Sequence, residues 1–147
     1  MRLLLNGRRT DLEAEPGEML LDVLRREADL LSVRATCGIG VCGACTVLLD
    51  GEPVSACLLL AGLADEHEVT TVEGLPSEDP VLAAFADERA FQCGWCTPGM
   101  ILTASSLLRE RPDPSEAEIA EALGGNLCRC GCYPKITSAV RRAAEAR

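Results

Sequence analysis

Nine cysteines in a chain of 147 residues restrict what this sequence can fold into more than any other feature. A disulfide framework suits them poorly: the count is odd, and the N-terminus MRLLLNGRRTDLEAEPGE turns polar after three leucines, too soon for the apolar region of an export signal. Arg8 and Arg9 invite comparison with a twin-arginine signal. Thr10, Asp11 and Glu13 stand where an apolar stretch would be needed, so the pair reads as solvated arginines in a turn. The expected compartment is the reducing cytoplasm, where dense cysteine points to bound metal.

The spacing of the cysteines says which metal. Cys37, Cys42 and Cys45 follow the C-x4-C-x2-C pattern, with Cys57 as a fourth member beyond a turn, and this is the plant-type spacing for a [2Fe–2S] cluster. Soft thiolates suit iron–sulfur chemistry, and Gly38, Gly40 and Gly43 let the loop wrap a cluster and turn its N–H groups toward sulfur. The competing zinc reading fits less well, because zinc sites pair two short cysteine knuckles. The same loop spells GxGxxG from Gly38 to Gly43, but that nucleotide fingerprint must open a helix after a strand, whereas here it runs into the β-prone Thr46-Val47-Leu48-Leu49.

The second group is Cys93, Cys96, Cys128, Cys130 and Cys132. Cys93-Gly94-Trp95-Cys96 alone resembles a thioredoxin-type CxxC, but no βαβ pattern surrounds it and the three later cysteines would go unexplained. Spacing leaves open which two of those three bind metal. His67, the only histidine, sits in the acidic run 65–68 and reads as solvated; a Rieske centre needs two histidines. No nucleophile has an activating base placed beside it, so the chain carries no catalytic set of its own.

The organisation is α+β. Residues 1–75 read as mostly β with one helix: residues 3–5 and 46–49 are β-prone, Asp50-Gly51 is a hairpin signal ahead of a strand at 54–57, and residues 67–73 look like a closing strand. Residues 19–28 place Leu20, Leu21, Val23 and Leu24 on one helical face. A polar stretch at 75–79 sets a boundary, giving domains 1–75 and 76–147. The second domain is helical, with proline at four proposed starts: Pro80, Pro98, Pro114 and Pro134. Asp79, Thr97 and Asp113 precede three of them as caps, the last with Glu116 in a capping-box relation. Each pair of helices encloses one pair of cysteines, which suggests a four-helix bundle with helix N-termini aimed at a negative cluster. A net charge of −9 argues against nucleic acid and anionic membrane as partners, and no apolar run reaches the length of a membrane span.

In its motifs the chain resembles the small iron–sulfur subunit of the xanthine oxidase family of molybdenum hydroxylases. The resemblance rests on CGIGVCGACTV at 37–47, SAC at 55–57, QCGWCTPGM at 92–100 and GNLCRCGCYPKI at 125–136, and it covers nearly the whole chain. It implies a plant-type ferredoxin-like β-grasp domain followed by a four-helix [2Fe–2S] domain. Cys37, Cys42, Cys45 and Cys57 would ligate one cluster, and Cys93, Cys96, Cys128 and Cys130 the other. It further implies a hetero-oligomer with a large subunit carrying a molybdenum–pterin cofactor and a medium subunit carrying FAD. Electrons would pass from molybdenum through the two clusters to the flavin or another acceptor. Gln92 and the backbone near Cys130 would contact the pterin.

The chain departs from the family pattern at several places. Thr36 stands where glycine commonly precedes the first ligand, and Ile39 and Val41 stand where small or polar residues are usual, which suggests a face covered by the flavin subunit. Trp95, at a position usually aromatic or hydrophobic, is expected to pack over the cluster. Cys132 reads as a buried small thiol. A free-standing two-cluster carrier or redox sensor is the rival reading from another class.

Overall fold

The computed structural model describes residues 1–146. The chain begins as a hairpin. β1 (Arg2–Leu5) turns through Asn6-Gly7, both at positive φ, into the antiparallel β2 (Arg8–Asp11), with Leu5 opposite Arg8. Asn-Gly is the two-residue turn that matches strand twist, so Arg8 and Arg9 lie in a strand, not in the turn expected from the sequence. Charged side chains suit β2 because it is an edge strand.

The helix α1 (Leu20–Glu27) buries Leu20, Leu21, Val23 and Leu24, the expected face. A long loop through Gly38, Gly40 and Gly43, all at positive φ, then leads to β3 (Thr46–Leu49). Asp50-Gly51, also at positive φ, returns the chain as β4 (Glu52–Ser55). A two-residue loop forces Glu52 opposite Leu49, which moves this strand two residues earlier than expected. Pro53 is tolerated because β4 is the other edge. β5 (Glu68–Thr70) pairs parallel to β1 and antiparallel to β3, giving the order β2-β1-β5-β3-β4. It is shorter than the expected 67–73, because residues Val72–Gly74 close into a 3₁₀ turn.

The remaining helices are α2 (Pro80–Asp87), α3 (Thr97–Glu110), α4 (Glu116–Ala122) and α5 (Tyr133–Glu145). Asp79 caps α2 by accepting from the Val81 N–H at 2.8 Å. Proline lies in the first turn of α2, α3 and α5 as anticipated, whereas Pro114 is outside α4. There Ser115 is the cap and Glu118 completes the box, replacing the expected Asp113 and Glu116. Pro114 and Ile119 are both buried, at the spacing of a hydrophobic staple. Thr97 begins α3 and does not precede it; the capping position is Cys96, which makes no side-chain cap bond.

Two apolar cores result. One joins α1 to the sheet through Leu20, Leu24, Val47 and Val69; the other gathers Phe85, Met100, Leu108, Ile119 and Ile136 from the helices. The chain is thus a sheet-and-helix unit followed by a helical unit, with five α-helices in all among the described residues. The units meet where α3 lies against β3, and there Ser106 Oγ donates to the Gly51 carbonyl at 3.2 Å.

Candidate metal centres

The glycine-rich loop presents Cys37 and Cys42 side by side. Backbone N–H groups of Ile39, Cys42 and Val41 and the Cys42 thiol converge on the Cys37 sulfur; these donors, Ile39 first, bring its thiol down to about 6. Positive φ at Gly38 and Gly40 allows those amides to face inward, since consecutive turns of this kind strain any other residue. Cys45, on the threshold of β3, and Cys57, just past β4, are buried and hydrogen-bonded to each other, and burial pushes Cys45 up to about 11. The Asp50-Gly51 hairpin brings these two together by returning β4 along β3.

In the helical unit the same two-by-two pattern appears. Cys93 bonds to Cys130, and the backbone N–H of Trp95 and that thiol hold Cys93 below its ordinary value. Cys96 bonds to Cys128, and burial raises Cys96 to about 12. Burial also pushes Cys128 up, but the N–H groups of Cys132 and Cys130 and the thiols of Cys96 and Cys132 together bring it below its usual range. Cys96 stands at the capping position of α3, and Cys93, Cys128 and Cys130 lie in the loops leading into α3 and α5, near helix ends whose free N–H groups and dipole favour negative charge.

The eight sequence-predicted cysteines stand as four thiol pairs, two in each unit, and in the second the Cys132 thiol is a further partner of Cys128. Among the described residues, no three His, Cys, Asp or Glu side chains converge at the spacing of a single-ion site. Paired thiols suit a two-iron cluster better than one tetrahedral zinc. Cys132 lies buried at the capping position of α5, its thiol against Cys128. Gln92 donates from Nε2 to the Cys130 carbonyl at 3.2 Å, so the two residues expected near a pterin do stand together. His67 is exposed, as expected of a solvated side chain; its Nδ1 lies 2.5 Å from Asp50 Oδ2, and the other carboxylate oxygen accepts the Glu68 N–H.

Three contacts that sequence reading missed join the two cysteine sites. The Leu127 N–H donates to the Cys42 carbonyl at 2.9 Å, one residue before Cys128. Asn126, fully buried, donates from Nδ2 to the Gly43 carbonyl at 3.0 Å and to Thr46 Oγ1 at 3.2 Å, and its Oδ1 accepts from Thr103 at 3.0 Å. Trp95 is half-exposed, and its indole N–H donates to Thr36 Oγ1 at 2.7 Å. An asparagine inside a cysteine motif was the only sequence signal for the second contact.

The chain also matches known families and proteins. Residues 3–73 match a 2Fe-2S iron-sulfur cluster binding domain and residues 71–141 a [2Fe-2S] binding domain. The nicotinate dehydrogenase small FeS subunit of Eubacterium barkeri is 49% identical over 148 residues, spanning 99% of this chain and 94% of that protein. The xanthine dehydrogenase iron-sulfur-binding subunit of Escherichia coli is 44% identical over 92% of this chain and 88% of its own length. The crystal structure of quinoline 2-oxidoreductase from Pseudomonas putida 86 contains a chain with TM-score 0.93 and 41% identity, covering 99% of this chain and 94% of that one. Aldehyde oxidoreductase from Desulfovibrio desulfuricans superposes equally well, TM-score 0.93 at 40% identity, but there the match covers only 17% of a far longer chain. This chain belongs to the small [2Fe–2S] subunits of the xanthine oxidase family. It carries two [2Fe–2S] clusters and serves as the electron-transfer subunit of an oxidoreductase, in company with partner subunits. No helix among the described residues is long and apolar enough to cross a membrane.

Proposed function

We propose that Cys37 and Cys42 hold one iron and Cys45 and Cys57 the other iron of the first cluster, and that Cys93 with Cys130 and Cys96 with Cys128 divide the second cluster in the same way. The observation that carries this reading is the pairing of thiols in both units, with Cys132 as an additional neighbour of Cys128 that the reading leaves outside the ligand set. A bound [2Fe–2S] cluster accepts and releases single electrons. The chain's own part is to supply thiolates, to aim N–H groups at their sulfurs, and to hold the two sites together through Asn126 and Leu127. The division at residues 75 and 76 is part of the reading, and so are the β-grasp form of the first domain and the four-helix bundle of the second.

The direction of the relay follows from what each site exposes. Gln92 is exposed beside the second site with its amide on the Cys130 carbonyl, and this is the side for a large subunit's molybdenum–pterin cofactor, with Gln92 offering its remaining amide donor and acceptor to a pterin edge. At the first site Ile39, Val41 and Leu58 are each more than half exposed. Such an apolar rim suits a covering partner, which the reading identifies as the medium FAD subunit or another acceptor protein. The relatives' enzymes suggest a heteroaromatic or aldehyde substrate, oxidised on the partner.

Iron and acid-labile sulfide analysis with EPR of the reduced full-length protein tests this. Two distinct [2Fe–2S] signals are expected. Serine at Cys42 should abolish one and serine at Cys130 the other, whereas a single signal in fully loaded protein would refute the two-site assignment. Substitution of Gln92 by alanine should leave both signals intact and slow reduction of the clusters by substrate in the assembled enzyme.

A further inference from the structure

Trp95 stands between two ligands of the second site, and its backbone N–H donates to the Cys93 sulfur. Its side chain reaches into the other unit. There the indole N–H meets Thr36 Oγ1 at 2.7 Å, and the Arg34 guanidinium lies 4.7 Å from the ring centroid. Thr36 is the residue immediately before Cys37, so one side chain links the approaches to both cysteine loops.

Both ends of this link are held within their own loops as well. The segment leading to Cys37 is anchored within its own unit: Arg25 Nη1 donates to the Val33 carbonyl at 2.9 Å and the Arg34 N–H to the Ala44 carbonyl at 3.2 Å. On the other side Trp95 follows Gly94, at φ +78°, whose carbonyl accepts from the Thr97 N–H at 3.3 Å, so a turn holds one end of the Gly94–Trp95 peptide and the indole contacts hold Trp95 itself. A side chain gripped on its edge by Thr36 and on its face by Arg34 fixes the orientation of the peptide it hangs from. That peptide carries the N–H on the Cys93 sulfur. Hydrogen bonds to cluster sulfurs stabilise the more negative reduced state and so raise the reduction potential. A half-exposed hydrogen bond adds little stability by itself, which leaves orientation as its main effect.

We infer that Thr36 and Trp95 form a clasp that holds the Trp95 N–H on the Cys93 sulfur and thereby raises the reduction potential of the second cluster. The clasp rests on the ligand assignment proposed above, with Trp95 as a positioning residue.

Redox titration of the full-length, cluster-loaded protein, followed by EPR, tests it; the signal lost in Cys130→Ser identifies the second cluster. Thr36→Val and Trp95→Phe should each shift that cluster's potential negative, by up to about tenfold in its one-electron equilibrium, or 59 mV. The first cluster should stay put, the double variant should shift no further than either single one, and Thr36→Ser should restore the original value. No shift, an equal shift of both clusters, or additive shifts would overturn the clasp. Loss of iron in Thr36→Val that Thr36→Ser restores would make the contact merely structural and overturn it as well. Wild-type protein with fewer than two signals would instead refute the ligand assignment beneath it.

Discussion

Asn126 shows what a single buried amide does at the junction of two units. Its side chain satisfies Gly43 and Thr46 from one unit and Thr103 from the other, with little solvent access. Alanine there would take the acceptor from the buried Thr103 hydroxyl, while the Gly43 carbonyl keeps the Thr46 N–H and hydroxyl, at a cost of about 1–3 kcal/mol. The expected result of Asn126→Ala is a lower denaturation midpoint with unchanged iron content, read by denaturant titration and iron assay. Cys132 is the opposite case: it is buried against Cys128 but stands outside both proposed ligand sets. Cys132→Ala should retain both EPR signals and all iron; a missing signal would move the ligand set. Cys37, Cys42, Cys45 and Cys57 were legible in sequence because thiolate spacing follows cluster chemistry, whereas the choice of Cys128 and Cys130 over Cys132 rested on the family resemblance. Asn126, Thr36 and Trp95 were not legible, because each is defined by a partner 59 or more residues away.

Among the elements, helix termini were the best anticipated and also the most instructive where they slipped. Proline marks the first turn in α2, α3 and α5, but at α4 the cap fell to Ser115, because Pro114 is buried in the staple position and Ser115 with Glu118 satisfies two N–H groups reciprocally. Ser115→Ala should cost about 1 kcal/mol, seen as a lower thermal midpoint. Hydrogen bonds from the Ser115 N–H and hydroxyl, and then from Arg111, hold the Glu118 carboxyl below its ordinary value of 4.5. Its folded-state value is thus depressed, so its contribution is present above the unfolded value and lost as pH falls through the folded one. Glu118→Gln should therefore destabilise at neutral pH, and its difference from wild type should vanish in acid. The hairpin to β2 was missed although Asn6-Gly7 announces it, because the charges of Arg8 and Arg9 mask an edge strand that has only one neighbour to satisfy.

The whole molecule depends on how closely the two units approach. Gly99, in the first turn of α3, lies so near the Gly43 carbonyl that a Cβ would collide with it, and a Cβ on Gly43 would strike the Gly125 carbonyl and Asn126. This glycine contact lets the first cysteine loop nest against the start of α3, next to the Leu127 N–H on Cys42. Gly99→Ala should force the units apart at a cost of about 1–3 kcal/mol, comparable to overpacking a core. The expected signature is weakened magnetic interaction between the two reduced clusters with both signals retained. Exposed Ile39 and Val41 at one cysteine loop and exposed Gln92 at the other leave both sites facing outward, as a relay between partners needs.

Sequence alone determined the number of clusters, most helix starts and the Asp-Gly hairpin, since each depends on bonding between residues close together or on the fixed chemistry of thiolate and proline. Tertiary structure decided which thiols stand in pairs, where the units touch and what Trp95 holds. Those outcomes arise from close packing at the junction and from burying amides with partners far along the chain, and neither leaves a periodic trace in the sequence.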